Sequence, residues 1–389
     1  MLDDDLRTRL AEWVGPLAEL PAPEIRVLRR RIRRRRTRWG AGSVMVVAAA
    51  VAVAVAAIGV LPGSGRPPVV SGPKPSAAPG TWYPGRWFAA GKLPAADAGP
   101  AAAPYVVTIA DGREVVTDVF TGALAPKTGP PSGGSFAGVA AAGDDRTFLL
   151  AARTGASVGF YEQRLGQAGR PGTPVLVFAL PASSVPAFAI SPDASLLAFS
   201  TPGGVAVVSL ATGASRSWTA ASGEVVGLSW VGDKELAFTW LAISAGQVSS
   251  VTVRLLATNA PGTHLMTSRQ LVSACSNPNG HVCLEENPIG TADGSKVFVI
   301  DRFNQGDAIV AAVEEISGGA RRTVYAKTYP STSAAAFSST CVAPWTDPSG
   351  QQLAVYCGQW LTIDNGRPLP VGLHIPVSDL TARGQLMAW

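Results

Sequence analysis

Residues Phe188–Gly213 read FAISPDASLLAFSTPGGVAVVSLATG. A short apolar run leads into the polar turn SPDAS. A second apolar run (LLAFS), a glycine turn (TPGG), a third run (VAVVSL) and a closing Thr-Gly follow. Short runs rich in branched and aromatic residues, punctuated by Gly, Pro, Asp and Ser, are the signature of antiparallel strands joined by tight turns. The layout recurs as FAGVAAAGDDRTFLLAARTGASVGFYEQRLG (Phe136–Gly166), VVGLSWVGDKELAF (Val225–Phe238, with VSSVTVRLLAT from Val248), PIGTADGSKVFVI (Pro288–Ile300) and TCVAPWTDPSGQQLAVY (Thr340–Tyr356). Fixed-period self-similarity of this kind marks a repeat architecture, and no helical periodicity competes with it here.

Two end pieces complete the pattern. YVVTIADGREVVTDVFTG (Tyr105–Gly122) matches the second and third strands of the repeat but has no first strand. The C-terminal GQLMAW (Gly384–Trp389) matches a first strand, with Trp389 at the position of Trp230 and Trp345. The expectation is an all-β fold, a six-bladed β-propeller over 105–389 closed through Leu386 and Trp389, since joining the first and last units removes open sheet edges. A seven-bladed ring is the alternative if the long 240–287 stretch holds a further blade.

The turns SPDASLLAFS, TADGSKVFVI and TDPSGQQLAVY resemble the WD-repeat-like blades of Tol-type periplasmic propellers. This resemblance spans about 105–389 and implies a fold more than an activity, because propellers carry many functions. The order of a tail (1–38) ending in the arginine run RVLRRRIRRRRTR (Arg26–Arg38), an apolar stretch Trp39–Leu61, a Pro-rich linker (62–104) and a propeller also resembles membrane proteins of high-GC bacteria, some of which accompany extracytoplasmic sigma factors. The tail has neither Cys nor His, so the zinc motif of the usual anti-sigma domain is absent.

Charge sorts the chain. It carries 32 basic and 27 acidic residues, yet residues 1–39 hold 11 Arg against 6 acids, and the remainder balances at 21 of each. A neutral propeller lacks the field that neutralising phosphates requires, so nucleic acid is excluded as its partner. The basic run RVLRRRIRRRRTR (Arg26–Arg38) contributes Arg29, Arg30, Arg31, Arg33, Arg34, Arg35, Arg36 and Arg38 just before the apolar stretch Trp39–Leu61. Some 21 apolar residues at a rise of about 1.5 Å cross a hydrocarbon layer of about 30 Å, and flanking arginines stay cytoplasmic. The segment is read as an uncleaved signal-anchor (39–61), with cleavage near Ala56 and Ala57 as the alternative. The cytoplasmic tail (1–38) begins with an amphipathic helix over 3–19, with Asp3–Asp5 at its start and Leu6, Leu10, Trp13 and Leu17 on one face. It serves as a surface for membrane lipid or for a cytoplasmic regulator such as a sigma factor. The linker 62–104 is rich in Pro, Gly and Ala and carries one aromatic island, TWYPGRWF (Thr81–Phe88), expected to dock on the domain.

Cys275, Cys283, Cys341 and Cys357 all follow the anchor, and an even number on the exported side reads as two disulfides. Cys341 and Cys357 flank the turn Asp347–Gly350 almost symmetrically, as on two strands of a hairpin; Cys275 and Cys283 would close a small loop. Zinc is disfavoured, with no CxxC spacing and only His281 nearby. Nothing points to a cofactor or to catalytic residues. His264, His281 and His374 are scattered, and GASVG (Gly155–Gly159) fits G-x-S-x-G without the strand–turn–helix setting of a nucleophile elbow. Asp193, Asp293 and Asp347 recur near one place in the repeat and are read as turn formers. Trp230, Trp345 and Trp389 are read as inter-blade core. These observations favour an extracytoplasmic sensor or interaction module, not an enzyme. An exported hydrolase or lyase and a cell-wall or glycan-binding module are the alternatives.

Overall fold

A computed structural model describes residues 80–87, 105–275, 288–330, 342–370 and 387–388, with short gaps within the longer three stretches. The tail helix, the arginine run, the anchor, Leu386 and Trp389 lie outside the described residues, as do His281, His374, Cys283, Cys341 and Cys357. Among the described residues no helix is long and apolar enough to cross a membrane.

The described chain is built of strands. Strand β1 (Thr81–Trp82) precedes a hairpin of β2 (Tyr105–Ala110) and β3 (Arg113–Asp118). The first sheet holds β4 (Ser135–Ala141), β5 (Thr147–Thr154), β6 (Ser157–Arg164) and β7 (Val175–Pro181). The second holds β8 (Phe188–Ile190), β9 (Leu196–Thr201), β10 (Gly204–Ser209) and β11 (Ser215–Thr219). The third holds β12 (Glu224–Val231), β13 (Glu235–Ser244), β14 (Gln247–Ala257) and β15 (Arg269–Cys275). The fourth holds β16 (Ile289–Gly290), β17 (Val297–Gln305), β18 (Ala308–Ser317) and β19 (Ala320–Pro330). The fifth holds β20 (Val342–Thr346), β21 (Gln352–Tyr356), β22 (Trp360–Asp364) and β23 (Arg367–Pro370). Strand β24 (Met387–Ala388) joins β2 and β3 in a closing sheet of order β24-β2-β3.

Each numbered sheet is a meander of consecutive antiparallel strands, and each repeat seen in the sequence is one sheet. Its fourth strand was not read from the sequence. The 240–287 stretch is filled, among its described residues, by the long β13–β14 hairpin and β15, which belong to the third sheet.

The second strand of each sheet shows how neighbours stack. Successive side chains of a strand point to opposite faces. On β5, Phe148, Leu150 and Ala152 enter one cluster with Tyr105, Val107, Ile109 and Ala388 of the closing sheet. Leu149 and Ala151 enter another with Leu197 and Phe199 of β9. On β9, Ala198 turns the other way, to meet Leu236, Phe238 and Trp240 of β13. Ala237 of β13 joins Val297 and Val299 of β17, while Phe298 and Ile300 join Leu353 and Val355 of β21. Every sheet therefore buries both faces, which explains why LLAF, KVFVI and QLAVY read as nearly continuous apolar runs. The arrangement is propeller-like: meandering sheets packed face to face, with first strands β4, β8, β12, β16 and β20 neighbouring one another in chain order and β24 beside β4. Trp230 is core, as expected, 3% exposed and donating its indole N–H to the Ala189 carbonyl at 3.3 Å.

Four phenylalanines fill the first interface. Phe160 lies 5.3 Å from Phe188, and Phe178 lies 5.5 Å from Phe199, ring centre to ring centre. Such pairs add about 0.5–1.5 kcal/mol each beyond the area they bury.

Closure rests on few bonds. Val107 faces Ala388 and Thr108 faces Met387, so the orphan first strand is supplied by the C-terminus. On the other side of the closing sheet, residues 123–128 bridge to β3 at Glu114↔Thr128 and Thr117↔Leu124, a rudimentary fourth strand. Removing residues 384–389 takes Ala388 from the cluster against the first sheet and uncovers the β2 edge. The truncated chain is expected to melt several degrees below the intact one. Equal melting temperatures in a thermal scan would rule out a structural role for the closure.

Candidate functional site

The turns between first and second strands bring the sheets into close contact. Three of them, in the second, fourth and fifth sheets, repeat one geometry. The amide of Ala194 donates to Ser191 C=O at 2.8 Å, that of Gly294 to Thr291 C=O at 3.0 Å and that of Gly350 to Asp347 C=O at 2.9 Å. The fourth residue has left-handed backbone in every case: φ is 58° at Ala194, 74° at Gly294, 67° at Gly350 and 57° at Asp145.

This register corrects one reading of the sequence. Asp193 and Asp293 are equivalent third residues of their turns, but Asp347 opens its turn, two positions earlier, where the others carry Ser191 or Thr291. The shared proline of SPDA and DPSG (Pro192 and Pro348) marks the true alignment. Asp193 and Asp293 are the turn formers the sequence implied. Asp193 accepts from Ser191 Oγ at 2.5 Å and from the Ser195 amide at 2.9 Å, and Asp293 accepts from Thr291 Oγ1 at 2.5 Å and the Ser295 amide at 2.9 Å. Burial acts to raise both carboxyls, but these donors outweigh it and hold both below the usual carboxylate range.

The turns from all five numbered sheets interlock. The Gly143 amide donates to Pro192 C=O at 2.8 Å, and a Cβ at Gly143 would come within 3.2 Å of Ala292 Cβ. The Gly232 amide donates to Thr291 C=O at 3.0 Å, and Asp233 accepts from the Asp193 amide at 3.2 Å. A Cβ on Gly350 would sit 2.3 Å from Thr291 Cγ2. Backbone approaches this tight admit only small residues.

Among these turns the first is unlike its siblings, for it carries two aspartates where they carry one. Asp144 does the turn-forming work, accepting from the Thr147 amide at 2.7 Å and Thr147 Oγ1 at 2.9 Å, with Arg164 at 3.6 Å. Asp145 takes the left-handed position. It is 8% exposed, and its Oδ1 has no hydrogen-bond partner. Burial pushes its carboxyl up to about 7; the negative charges of Asp347 and then Asp144 add to the rise, and Arg146 opposes it. Asp347, itself 5% exposed, comes from the fifth sheet. A carboxyl some 200 residues away in sequence thus acts on Asp145 through its charge, and Asp145 is raised to about 7. That is the chemistry of a proton donor or a proton-linked contact.

The remaining sequence candidates lie elsewhere. His264 forms a parallel bridge with Thr219 beside β11. Gly155 and Ala156 of GASVG form the tight turn between β5 and β6, where Thr154 pairs with Ser157, so the motif has no helix behind it. Cys275 ends β15 opposite Val251. No group of three or more His, Cys, Asp or Glu able to hold a metal occurs among the described residues. Asp145 was not singled out from the sequence, although the doubled Asp of GDDRT was the visible signal.

No family model and no curated protein matches the chain. Among solved structures, TolB from Acinetobacter baumannii is 13% identical over 73% of this chain and 62% of its own, at a TM-score of 0.42. The RRP9 WD40 repeats are 10% identical over 66% of this chain and 84% of theirs, at 0.40. Porphyromonas gingivalis dipeptidyl peptidase 4 is 10% identical over 74% of this chain and 47% of its own, at 0.39.

Asp145 gives a pH signature. Because its folded value lies above the ordinary 3.8, the neutral acid favours the fold. Its contribution is complete below about pH 4 and is lost as pH rises through 7. Asp145→Asn removes this loss, so its stability relative to the parent chain should grow between pH 4 and 8, by on the order of 2–4 kcal/mol. Urea melts of both chains across that range measure the difference, and a constant gap would show that the carboxyl titrates normally.

Proposed function

We propose that this chain is a membrane-anchored, six-bladed propeller held outside the cytoplasm, acting as a sensor or interaction module whose tail (1–38) meets a cytoplasmic regulator. The observation that carries the interaction reading is the interlocked set of inner turns. Their polar groups are largely spent on one another, as at Asp193, Asp293 and Asp144, and close backbone packing leaves little space there for a substrate. The six-bladed reading draws on the six sheets seen among the described residues and on the β24–β2 pairing. The topology reading draws on the arginine run followed by Trp39–Leu61. A sigma factor is the regulator the resemblance implies.

A second reading has one observation in its favour. Asp145 and Asp347 place two buried carboxyls together, one of them near neutrality, as an exported hydrolase would need for acid–base work. A hydrolytic activity of the full chain that disappears in both Asp145→Asn and Asp347→Asn would replace the interaction module with this enzyme.

The disulfide reading gains from register. On the fifth sheet Val342 pairs with Tyr356, the residues that adjoin Cys341 and Cys357 in sequence. Peptide mapping without reductant should recover Cys341 joined to Cys357, and Cys275 joined to Cys283. Recovery of four free thiols from exported protein would remove the disulfides.

The tail is tested in the membrane. A photo-crosslinker placed at Leu10 or Trp13 of the full chain in living bacteria should capture one cytoplasmic protein, identified by mass spectrometry as a sigma factor or its regulator. Capture of lipid alone would sink the signalling half of the proposal.

A further inference from the structure

Residues 80–87 are more than a linker. Strand β1 adds a fifth strand to the outer edge of the first sheet, with Thr81 opposite Ala179 and Trp82 opposite Phe178, and the Tyr83 amide continues the ladder to Val177 C=O at 3.1 Å. The Trp82 side chain then crosses to the second sheet. Its indole N–H donates to Leu210 C=O at 2.8 Å, and its ring lies on Gly213, where a Cβ would come within 2.5 Å of it. Gly213 has φ +71° at the Thr-Gly turn, so the one residue type that permits this turn also leaves the floor of the slot open. At the entrance, a Cβ on Gly80 would meet the Phe178 ring at 2.2 Å. Trp82 and Trp87 both pack against the cluster between first and second sheets. The slot therefore specifies its occupant: an extended segment with glycine where the chain crosses Phe178 and tryptophan two residues later.

We propose that this slot is a peptide-recognition site on the outer edge of the propeller, filled in cis by residues 80–87 as a displaceable strap, and open to a partner's extended Gly-x-Trp segment when the strap leaves. Recognition follows the logic of strand addition, in which main-chain bonds supply affinity and a side-chain pocket supplies specificity. Two paired residues and one further amide bond make a short ladder, so the indole anchor carries much of the hold. Only 22 residues separate Trp82 from Tyr105, the start of β2. A connection this short presents the strap at an effective concentration on the order of millimolar. The strap thus outcompetes any free peptide until its anchor is weakened. The inference does not depend on the anchor, the tail or the sensor reading of the preceding section.

The test uses the full chain in detergent and a fluorescent peptide copying residues 78–88. Trp82→Ala empties the indole slot. The peptide should bind this variant saturably and at least tenfold more tightly than it binds the parent chain, and the same peptide with alanine in place of Trp82 should not bind. Adding Gly213→Val to Trp82→Ala fills the slot and should abolish peptide binding. Equal binding to parent and Trp82→Ala chains, or no binding to a Trp82→Ala chain that still melts cooperatively, overturns the proposal. Hydrogen exchange on the unmodified chain supplies a readout that no folding defect can confuse. The Tyr83 amide should exchange at least tenfold faster than amides of β5, reporting local release of the strap. Exchange of Tyr83 only at the rate of global unfolding would make the strap a permanent strand and overturn the displaceable site.

Discussion

Burial of both faces of every sheet is the constraint from which the rest of this structure follows. A sheet that is apolar on one side needs one neighbour; these need two. Phe148 and Leu149 are adjacent on β5 and both fully buried, yet they belong to different interfaces. A linear row of such sheets would leave an apolar face uncovered at each end, at about 25 cal/mol for every Å² exposed. A row closed on itself leaves none. The closing sheet covers the first of these ends, with β24 borrowed from the far end of the chain, and Tyr105, Val107 and Ile109 pack against the first sheet. The two register pairs of β24 are few, and Ala388 adds its side chain to the apolar cluster between the closing sheet and the first.

The same constraint shapes the inner turns. Sheets that stack face to face around a common centre converge at their first strands, and the turns there must be slim. Gly143, Pro192, Gly232, Ala292 and Gly294 meet at backbone distance. In that crowding, polar side chains survive only where the turn itself supplies donors, as Ser195 does for Asp193. Asp145 is the exception. An unpaired buried carboxylate costs several kcal/mol unless it takes up a proton, and the resulting rise of its titration toward neutrality is the physical expression of that cost. A residue this costly to stability, at a place where the second, fourth and fifth sheets carry Ala194, Gly294 and Gly350, is a better candidate for function than the well-satisfied Asp193 and Asp293.

Much of the fold was legible in the sequence because the repeat obeys the short-range rules of strands and turns. LLAFS and KVFVI announce buried second strands, and SPDAS and TADGS announce the turns that precede them. Two of the fourth strands are hard to read for an equally physical reason. RSWT of β11 and RPLP of β23 are short and polar or proline-bearing, as an outer edge is expected to be, and carry no apolar period. The offset of Asp347 was hidden because an alignment drawn on aspartate ignores that the hydrogen-bonded turn begins with whichever residue precedes the shared proline. The titration of Asp145 could not be read at all. It depends on Asp347, some 200 residues away, and no local pattern encodes that approach. The candidate site was therefore visible in its parts and invisible as a pair, whereas the docking of the aromatic island was foreseen from its composition alone.

Both described ends of the chain are fastened to the first sheet, by different means. At its inner side, β24 packs beside β4 and pairs with β2; at its outer edge, β1 pairs with β7 and sends Trp82 across to the second sheet. These attachments are independent, since the strap shares no hydrogen bond with the closing sheet among the described residues. Release of the strap would free an edge and an indole slot while leaving Val107 and Ala388 paired and the apolar interfaces covered. The opposite order is unfavourable, because loosening β24 draws Ala388 out of the cluster around Tyr105 and Phe148 and opens the β2 edge. A load or partner acting on the segment before residue 80 thus meets the weaker fastening first, and the ring stays closed behind it.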